Sequence, residues 1–343
     1  MSRVATTCQT GDLATALARA NVALVKYWGK RDETLNLPAV GSISLTLDGL
    51  DAIATVALAA ASTSGPRFRQ NGTPVGGVAG ERMARFLDLV LASTGERALL
   101  CADVAANFPV GAGLASSAAI FCAVAAAALS VLQRKASLVE LSGLARQGSG
   151  SAARSVFGGL VEWRRGEARD GSDSTAHQIL PEKAWDLALL VAITSEAMKR
   201  HASRDAMRHV AETSPLYPGW LAAQDEDLAA MRRAIAARDL DEVGRISEEN
   251  CLRMHATGFA ARPPVVFWSP ATLAVMEAVQ ALREAGIPAW FTIDAGPQVK
   301  VLCRPADVAR ISARLCDVPG VLRVLRSGPG GGVEMRHGEA PWS

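Results

Sequence analysis

The chain carries almost no net charge: 36 lysines and arginines face 34 aspartates and glutamates, a formal +2 over 343 residues. The two signs are interspersed, so there is no case for general nucleic-acid binding. Histidine is scarce, and His177, His201, His209, His255 and His337 never fall at a ligand spacing such as H-x-x-x-H, which argues against a protein-held zinc. The six cysteines (Cys8, Cys101, Cys122, Cys251, Cys303, Cys316) include no C-x-x-C pair, and several sit in apolar runs. They read as free thiols in a reducing cytoplasm. No G-x-S-x-G elbow supports a serine hydrolase. No internal repeat or low-complexity segment is present, and the N-terminus lacks the charged-then-apolar pattern of a secretory signal.

What is present is an ordinary globular composition, 49% hydrophobic and 20% charged, with length enough for two lobes or one large α/β unit. From Val104 to Gln133 no residue is charged. Pro109, Gly111, Gly113 and Ser116-Ser117 interrupt that run and much of the rest is alanine, so a membrane span is rejected.

The same interruptions suggest chemistry. Asn107 to Ala119 reads N-F-P-V-G-A-G-L-A-S-S-A-A and leads into an Ala-rich helical run, Ala118 to Leu132. Glycines let backbone N–H groups converge, and the first helical turn adds unpaired donors and the positive end of the dipole. Serine hydroxyls can donate to phosphate oxygens or help hold magnesium. Polyphosphate binding is the implied use, without a Walker A lysine. A tight turn against a core helix would use the same small residues.

Three further stretches carry reactive side chains. Leu13 to Val25 is apolar and ends in Lys26-Tyr27-Trp28-Gly29-Lys30, which either grips a phosphorylated ligand or is a strand end with snorkelling lysines. Gly148 to Gly159 places Ser149, Ser151 and Arg154 around a helical turn; an arginine fork suits a carboxylate or phosphate, and a loop with a surface arginine is the plainer reading. Ala289 to Ile293 reads as a strand that delivers Asp294-Ala295-Gly296-Pro297, where the acid is either catalytic or the anchor of an Asx-turn.

Periodicity places other elements. Ser42 to Leu47 alternates as a strand, with Ile53 to Ala59 as its neighbour joined through Asp48-Gly49. Asn71-Gly72 signals a hairpin, and Ser137 with Glu140 a helix cap. Trp220 to Arg238 and Leu240 to His255 are long amphipathic helices, and a third runs from Ser269-Pro270 to Arg283. The glycine-rich stretch Gly328 to Gly332 precedes no helix and reads as structural.

Taken together, A-N-V-A-L-V-K-Y-W-G-K-R-D, L-N-L-P, S-I-S-L-T-L, the Gly-Ser loop, G-S-G-S-A-A-R-S-V-F-G-G, S-R-D-A-M, L-R-M-H-A-T and F-T-I-D-A-G-P-Q-V-K resemble the diphosphomevalonate decarboxylases of the GHMP kinase superfamily, in family order from about Ala20 to Cys303. The resemblance implies an α+β, two-lobed GHMP kinase fold. Residues 1–184 would form a ribosomal protein S5 domain 2-like N-terminal lobe and residues 185–343 an α/β sandwich C-terminal lobe, with the site between them. It implies ATP-dependent 3-phosphorylation and decarboxylation of mevalonate 5-diphosphate to isopentenyl diphosphate. Asp294 would be the catalytic carboxylate, with Lys26 beside it and Arg154 on the substrate carboxylate. Tyr27, Lys30, Ser149, Ser151, Ser203 and Arg204 would hold the substrate. Gly111, Gly113, Ser116 and Ser117 would cradle ATP, with Mg2+ carried by its phosphates and by Ser116 or Ser117. A cytoplasmic homodimer is implied, with no nucleic-acid or membrane partner. The same motifs fit a decarboxylase of mevalonate 5-phosphate, or a GHMP small-molecule kinase that stops after phosphorylation. Gln298 stands where the family usually has Asn, and its extra methylene is expected to bear on the geometry near Asp294.

Overall fold

The computed structural model describes residues 13–59, 65–92, 98–108, 116–197 and 202–336. In chain order, the first part contains β1 (Leu13–Val25), β2 (Lys30–Asp32), β3 (Leu37–Pro38), β4 (Ser42–Ala59), β5 (Phe68–Gln70), β6 (Thr73–Pro74), α1 (Gly77–Ala92), β7 (Leu99–Ala106), α2 (Ser116–Val131) and α3 (Leu138–Gly148). A 3-10 turn (Gly150–Val156), β8 (Leu160–Trp163) and β9 (Ala176–Leu180) follow. The second part contains β10 (Ala188–Ile193), α4 (Ser203–Thr213), α5 (Tyr217–Ala237), α6 (Leu240–Phe259), α7 (Pro270–Glu284), β11 (Ala289–Ile293), β12 (Val299–Cys303), α8 (Val308–Cys316), β13 (Arg323–Ser327) and β14 (Glu334–Arg336).

Among the described residues β1, β4 and β7 form the centre of an eight-stranded sheet, and β11-β12-β10-β13 form a second, antiparallel sheet. The alanines that argued against a membrane anchor pack α2 inside the protein. Ala119, Ala123 and Ala127 of α2 share one core with Ala16, Ala18 and Ala20 of β1 and Ala52 and Ala54 of β4. Small side chains on both surfaces bring helix and sheet close together. No helix among the described residues is long and apolar enough to cross a membrane. A separate core under the second sheet gathers Phe291, Val299, Val301, Val279 and Ile311.

Local expectations are met at the cap and the hairpin. The Ser137 hydroxyl accepts from the Glu140 N–H and the Glu140 carboxylate accepts from the Ser137 N–H, a reciprocal capping box, and Asn71 and Gly72 both take positive φ between β5 and β6. One expectation is corrected, with a physical cause. Ser42–Leu47 and Ile53–Ala59 are halves of one bent strand, not neighbours: both pair with β1, and Gly49, at φ 73°, takes up the shift between Arg19 and Asn21. β8 lines the first half and β7 the second. β9 pairs with β8 at the edge of the first sheet. The glycine-rich stretch Gly328–Gly332 is structural, as the sequence suggests, and carries the chain back to the first sheet. Gly330 donates to the Thr46 carbonyl at 2.8 Å, the Gly159 N–H donates to Gly330 at 2.9 Å, and β14 pairs with β1.

Candidate active site

β1 ends at a cleft of about 310 Å³, and the residue after it is Lys26. The snorkelling reading fails here. Lys26 is 1% exposed, its Nζ donating to the Ala23 carbonyl at 2.8 Å and to Asp294 Oδ1 at 2.7 Å. Its backbone N–H is fixed from the other side by Asn250 of α6, at 2.8 Å.

Asp294 arrives from the second sheet, one residue past β11. Its carboxylate is not spent on an Asx-turn: Oδ1 meets Lys26, and Oδ2 meets Lys300 of β12 at 3.0 Å. Burial pushes this carboxyl up, but the two ammonium groups outweigh it and hold Asp294 below the usual carboxylate range. Burial has the opposite sign for Lys300 and pulls its ammonium down, with Asp294 resisting. His255 of α6, also pushed down to about 3 by burial and by Lys26, stays neutral and donates to the Ile293 carbonyl at 3.3 Å.

The 3-10 turn supplies the opposing wall. Arg154 is 3% exposed, with Nε and Nη2 donating to Asn21 Oδ1 at 3.2 and 3.0 Å and Nη1 to Ser42 Oγ at 2.7 Å. Asn21 in turn donates to the Ser151 carbonyl and to Ser155 Oγ, so strand and turn fix the fork together. Burial lowers the Arg154 guanidinium to about 10, which leaves it a cation at neutral pH. Ser117 at the start of α2 reaches Ser149 at 3.1 Å, and Ser149 reaches Ser151 at 3.4 Å, giving a line of hydroxyls along the wall.

Tyr27, Lys30 and Arg204 also line the cleft. The Tyr27 ring lies edge-on to Trp163, and its buried hydroxyl has no protein partner among the described residues. Lys30 is ion-paired with Glu33 at 2.6 Å, and burial draws its ammonium down. Five basic side chains (Lys26, Lys30, Arg82, Arg154, Arg204) line the cleft against one acid, Asp294. Such an enclosure favours a polyanion.

The cleft therefore brings together Lys26, Tyr27, Lys30, Ser116, Ser117, Ser149, Ser151, Arg154, Ser203, Arg204 and Asp294, which is every described residue singled out in the sequence for a site. Gly111 and Gly113 lie outside the described residues. Residues 18–176 match the family model of the diphosphomevalonate decarboxylase-like N-terminal domain, and residues 189–322 that of the mevalonate 5-diphosphate decarboxylase C-terminal domain. The chain belongs to the diphosphomevalonate decarboxylase family.

Individual members are close. The Ganoderma lucidum diphosphomevalonate decarboxylase is 35% identical over 310 residues, 84% of this chain and 77% of that one. The Staphylococcus aureus mevalonate diphosphate decarboxylase has 36% identity and a TM-score of 0.89, covering 95% of this chain and 98% of that one. A solved complex of MDDEF with MVAPP, AMPPCP and magnesium has 37% identity and a TM-score of 0.88, covering 95% and 99%. The two-lobed α+β, GHMP-kinase-related fold follows from these likenesses.

Gln298, four residues after Asp294, is buried. Its Oε1 accepts from the Thr194 N–H at 2.7 Å and its Nε2 donates to the Ser195 carbonyl at 2.5 Å, tying the end of β10 to the turn after β11. Sequence reasoning missed Arg82, Asn21, Asn36 and Lys300. Lys300 had a signal, a lone charge in the apolar strand V-K-V-L-C. Arg82 had none; it reaches the cleft only because α1 lies beside the end of α3, where the guanidinium donates to the Gly148 carbonyl at 2.7 and 3.2 Å.

Proposed function

We propose that this chain catalyses the ATP-dependent decarboxylation of mevalonate 5-diphosphate to isopentenyl diphosphate through 3-phosphorylation. The observation that carries the reading is the Asp294–Lys26 ion pair on the floor of a cationic cleft, facing the buried fork of Arg154.

A tertiary hydroxyl is a poor nucleophile and a poor leaving group. Asp294 accepts a hydrogen bond from it, aims its oxygen at the γ-phosphorus of ATP and takes up the hydroxyl proton as that O–P bond forms and the bond to ADP breaks. Lys26 neutralises charge on the transferring group. The C–O bond of the new ester then breaks, and the 3-phosphate leaves with its bonding electrons. The C–C bond to the carboxylate breaks, its electron pair becomes the new double bond, and carbon dioxide departs. Arg154 keeps that carboxylate in line, so positioning dominates.

The tail phosphates of the substrate fit Lys30, Arg204, Ser203 and the Tyr27 hydroxyl, which has no partner among the described residues, with Ser149 and Ser151 along its backbone. Ser116 and Ser117, at the N-terminus of a 16-residue helix, suit the ATP phosphates, and their hydroxyls are the hard oxygen donors magnesium prefers. Bound there, magnesium would neutralise phosphate charge. We assign the ATP-side loop to include Gly111 and Gly113. The two lobes divide near residues 184 and 185 in this reading, with β14 returned to the first. A cytoplasmic homodimer completes it, consistent with the free thiols of Cys101, Cys122, Cys251, Cys303 and Cys316.

The test is paired release of ADP and carbon dioxide with Mg-ATP and mevalonate 5-diphosphate, run beside mevalonate and its 5-phosphate. Equal release from the diphosphate is expected. ADP without carbon dioxide would make the protein a kinase, and carbon dioxide from the monophosphate alone would move the substrate assignment. Sedimentation at assay concentration tests the dimer.

A further inference from the structure

β12 is a buried strand of five residues, and four of them (Val299, Val301, Leu302, Cys303) are apolar. The fifth is Lys300, with 2% of its side chain exposed. It pairs with Thr292 on β11 and with Val191 on β10, so it occupies the middle of the second sheet. Its Nζ lies 3.0 Å from Asp294 Oδ2, while Lys26 holds Oδ1 at 2.7 Å. Lys26 lines the cleft; Lys300 is not among the lining residues and reaches Asp294 from behind.

One lysine already neutralises the carboxylate. The second leaves the three side chains with a surplus positive charge inside the protein, which costs several kcal/mol in desolvation that an apolar residue would not incur. A strand otherwise built from valine, leucine and cysteine gains nothing in packing from that charge. Its effect falls on Asp294. With each oxygen held by a different ammonium group, the plane of the carboxylate cannot rotate, and the surplus charge faces the place where phosphate anions meet.

We propose that Lys300 is a positioning residue of the phosphoryl-transfer step, fixing the plane and charge of the Asp294 carboxylate from behind without meeting substrate. The inference rests on the function proposed above. Among the described residues, Cys251 and His255 from α6 and Arg154 from the 3-10 turn also face the pair. The Cys251 thiol is pushed up, His255 stays neutral down to about 3 and Arg154 remains charged to about 10, so none titrates in the weakly acidic range.

The experiment uses Lys300→Met, Lys300→Gln and Lys300→Arg in the full-length protein. The Met and Gln variants keep a neutral Lys26–Asp294 pair and are expected to fold, with melting temperatures no lower than that of the parent. Their kcat should fall about 100-fold while the KM for ATP stays within about threefold. The acid limb of kcat should move up by about one pH unit or more, because Asp294 has lost one of two cations. Lys300→Arg should recover most of the rate. In the ligand-free protein, carbon-13 NMR of the Asp294 carboxyl should show the same upward titration shift in Lys300→Met. A folded Lys300→Met with parental kcat and an unmoved carboxyl titration would overturn the proposal. So would loss of the fold in both neutral variants, which would make Lys300 structural. A parent protein inactive on mevalonate 5-diphosphate would sink the functional reading alone, and the carboxyl titration would still decide the role of Lys300.

Discussion

Lys26 and Asp294 are 268 positions apart in sequence and share a 2.7 Å ion pair. One follows β1 of the first sheet and the other follows β11 of the second, so the pair exists only when both sheets are formed and in register. Its consequence is a carboxylate that stays ionised with one face open to the cleft, 22% of the side chain being exposed. Such a group can orient a hydroxyl.

Asp294→Asn is therefore expected to lower kcat by about 1000-fold or more while ATP affinity is nearly unchanged, measured by ADP release and nucleotide titration. The amide leaves Lys26 and Lys300 without a carboxylate, so stability should fall by about 3 kcal/mol in urea unfolding. Adding Lys300→Met to Asp294→Asn should restore most of that stability and none of the rate. A double variant that regained turnover would remove Asp294 from the mechanism.

Arg154→Lys keeps the charge and loses the fork. Lysine can reach Asn21 or Ser42 but cannot meet both with the geometry that Nε, Nη1 and Nη2 now have. The expected result is a fall in carbon dioxide release of about 100-fold, the value of two charge-assisted hydrogen bonds. ADP should then exceed carbon dioxide, because phosphorylation depends less on the substrate carboxylate than its cleavage does. Equal loss of both products would place Arg154 on binding alone.

The sequence made the site's reactive side chains legible because they sit at element ends, where local pattern is informative: Lys26 closes an apolar run, Asp294 closes a short strand, and Arg154 lies on a Gly-Ser turn. What pattern could not supply was the partner of each. Whether Lys26 snorkels or is buried depends on Asp294 and Asn250, which no window around residue 26 contains. The bend of β4 was hidden for a related reason. An Asp-Gly pair inside alternating residues signals a turn as well as a bulge, and only pairing of both halves with β1 separates the two. β14 was missed because three exposed residues carry no alternation; the backbone bonds of Gly330 bring them to the sheet.

His255 gives a pH prediction with a definite sign. An unfolded histidine takes up a proton near 6.5, whereas the buried one does so only near 3. The unfolded state therefore binds more protons as pH falls through that window, and stability is lost on acidification. Between pH 7 and pH 5 this costs about 2 kcal/mol. In His255→Gln that part of the slope should vanish in urea unfolding at the two pH values, and an unchanged slope would assign the acid sensitivity elsewhere.

The return of the chain to the first sheet is held by backbone packed on backbone. A Cβ placed on Gly158 would lie 2.7 Å from the nitrogen of Gly332, 2.8 Å from the carbonyl carbon of Gly331 and 2.9 Å from the oxygen of Gly330. None of these atoms belongs to a side chain that could swing aside. Relief requires the strap to lift, which also strains the Gly330 bonds to Thr46 and Gly159 and the pairing of β14 with β1. Gly158→Ala should cost about 3 kcal/mol in urea unfolding, the upper range for an overpacked contact. Gly219 in the first turn of α5 is the control, since a Cβ there meets nothing within 4 Å. Gly219→Ala should lose no stability and gain up to about 1 kcal/mol. Hydrogen exchange should place the change in Gly158→Ala at β14 and the facing part of β1. Parental stability would mean that the strap contributes nothing to holding the last strand in place.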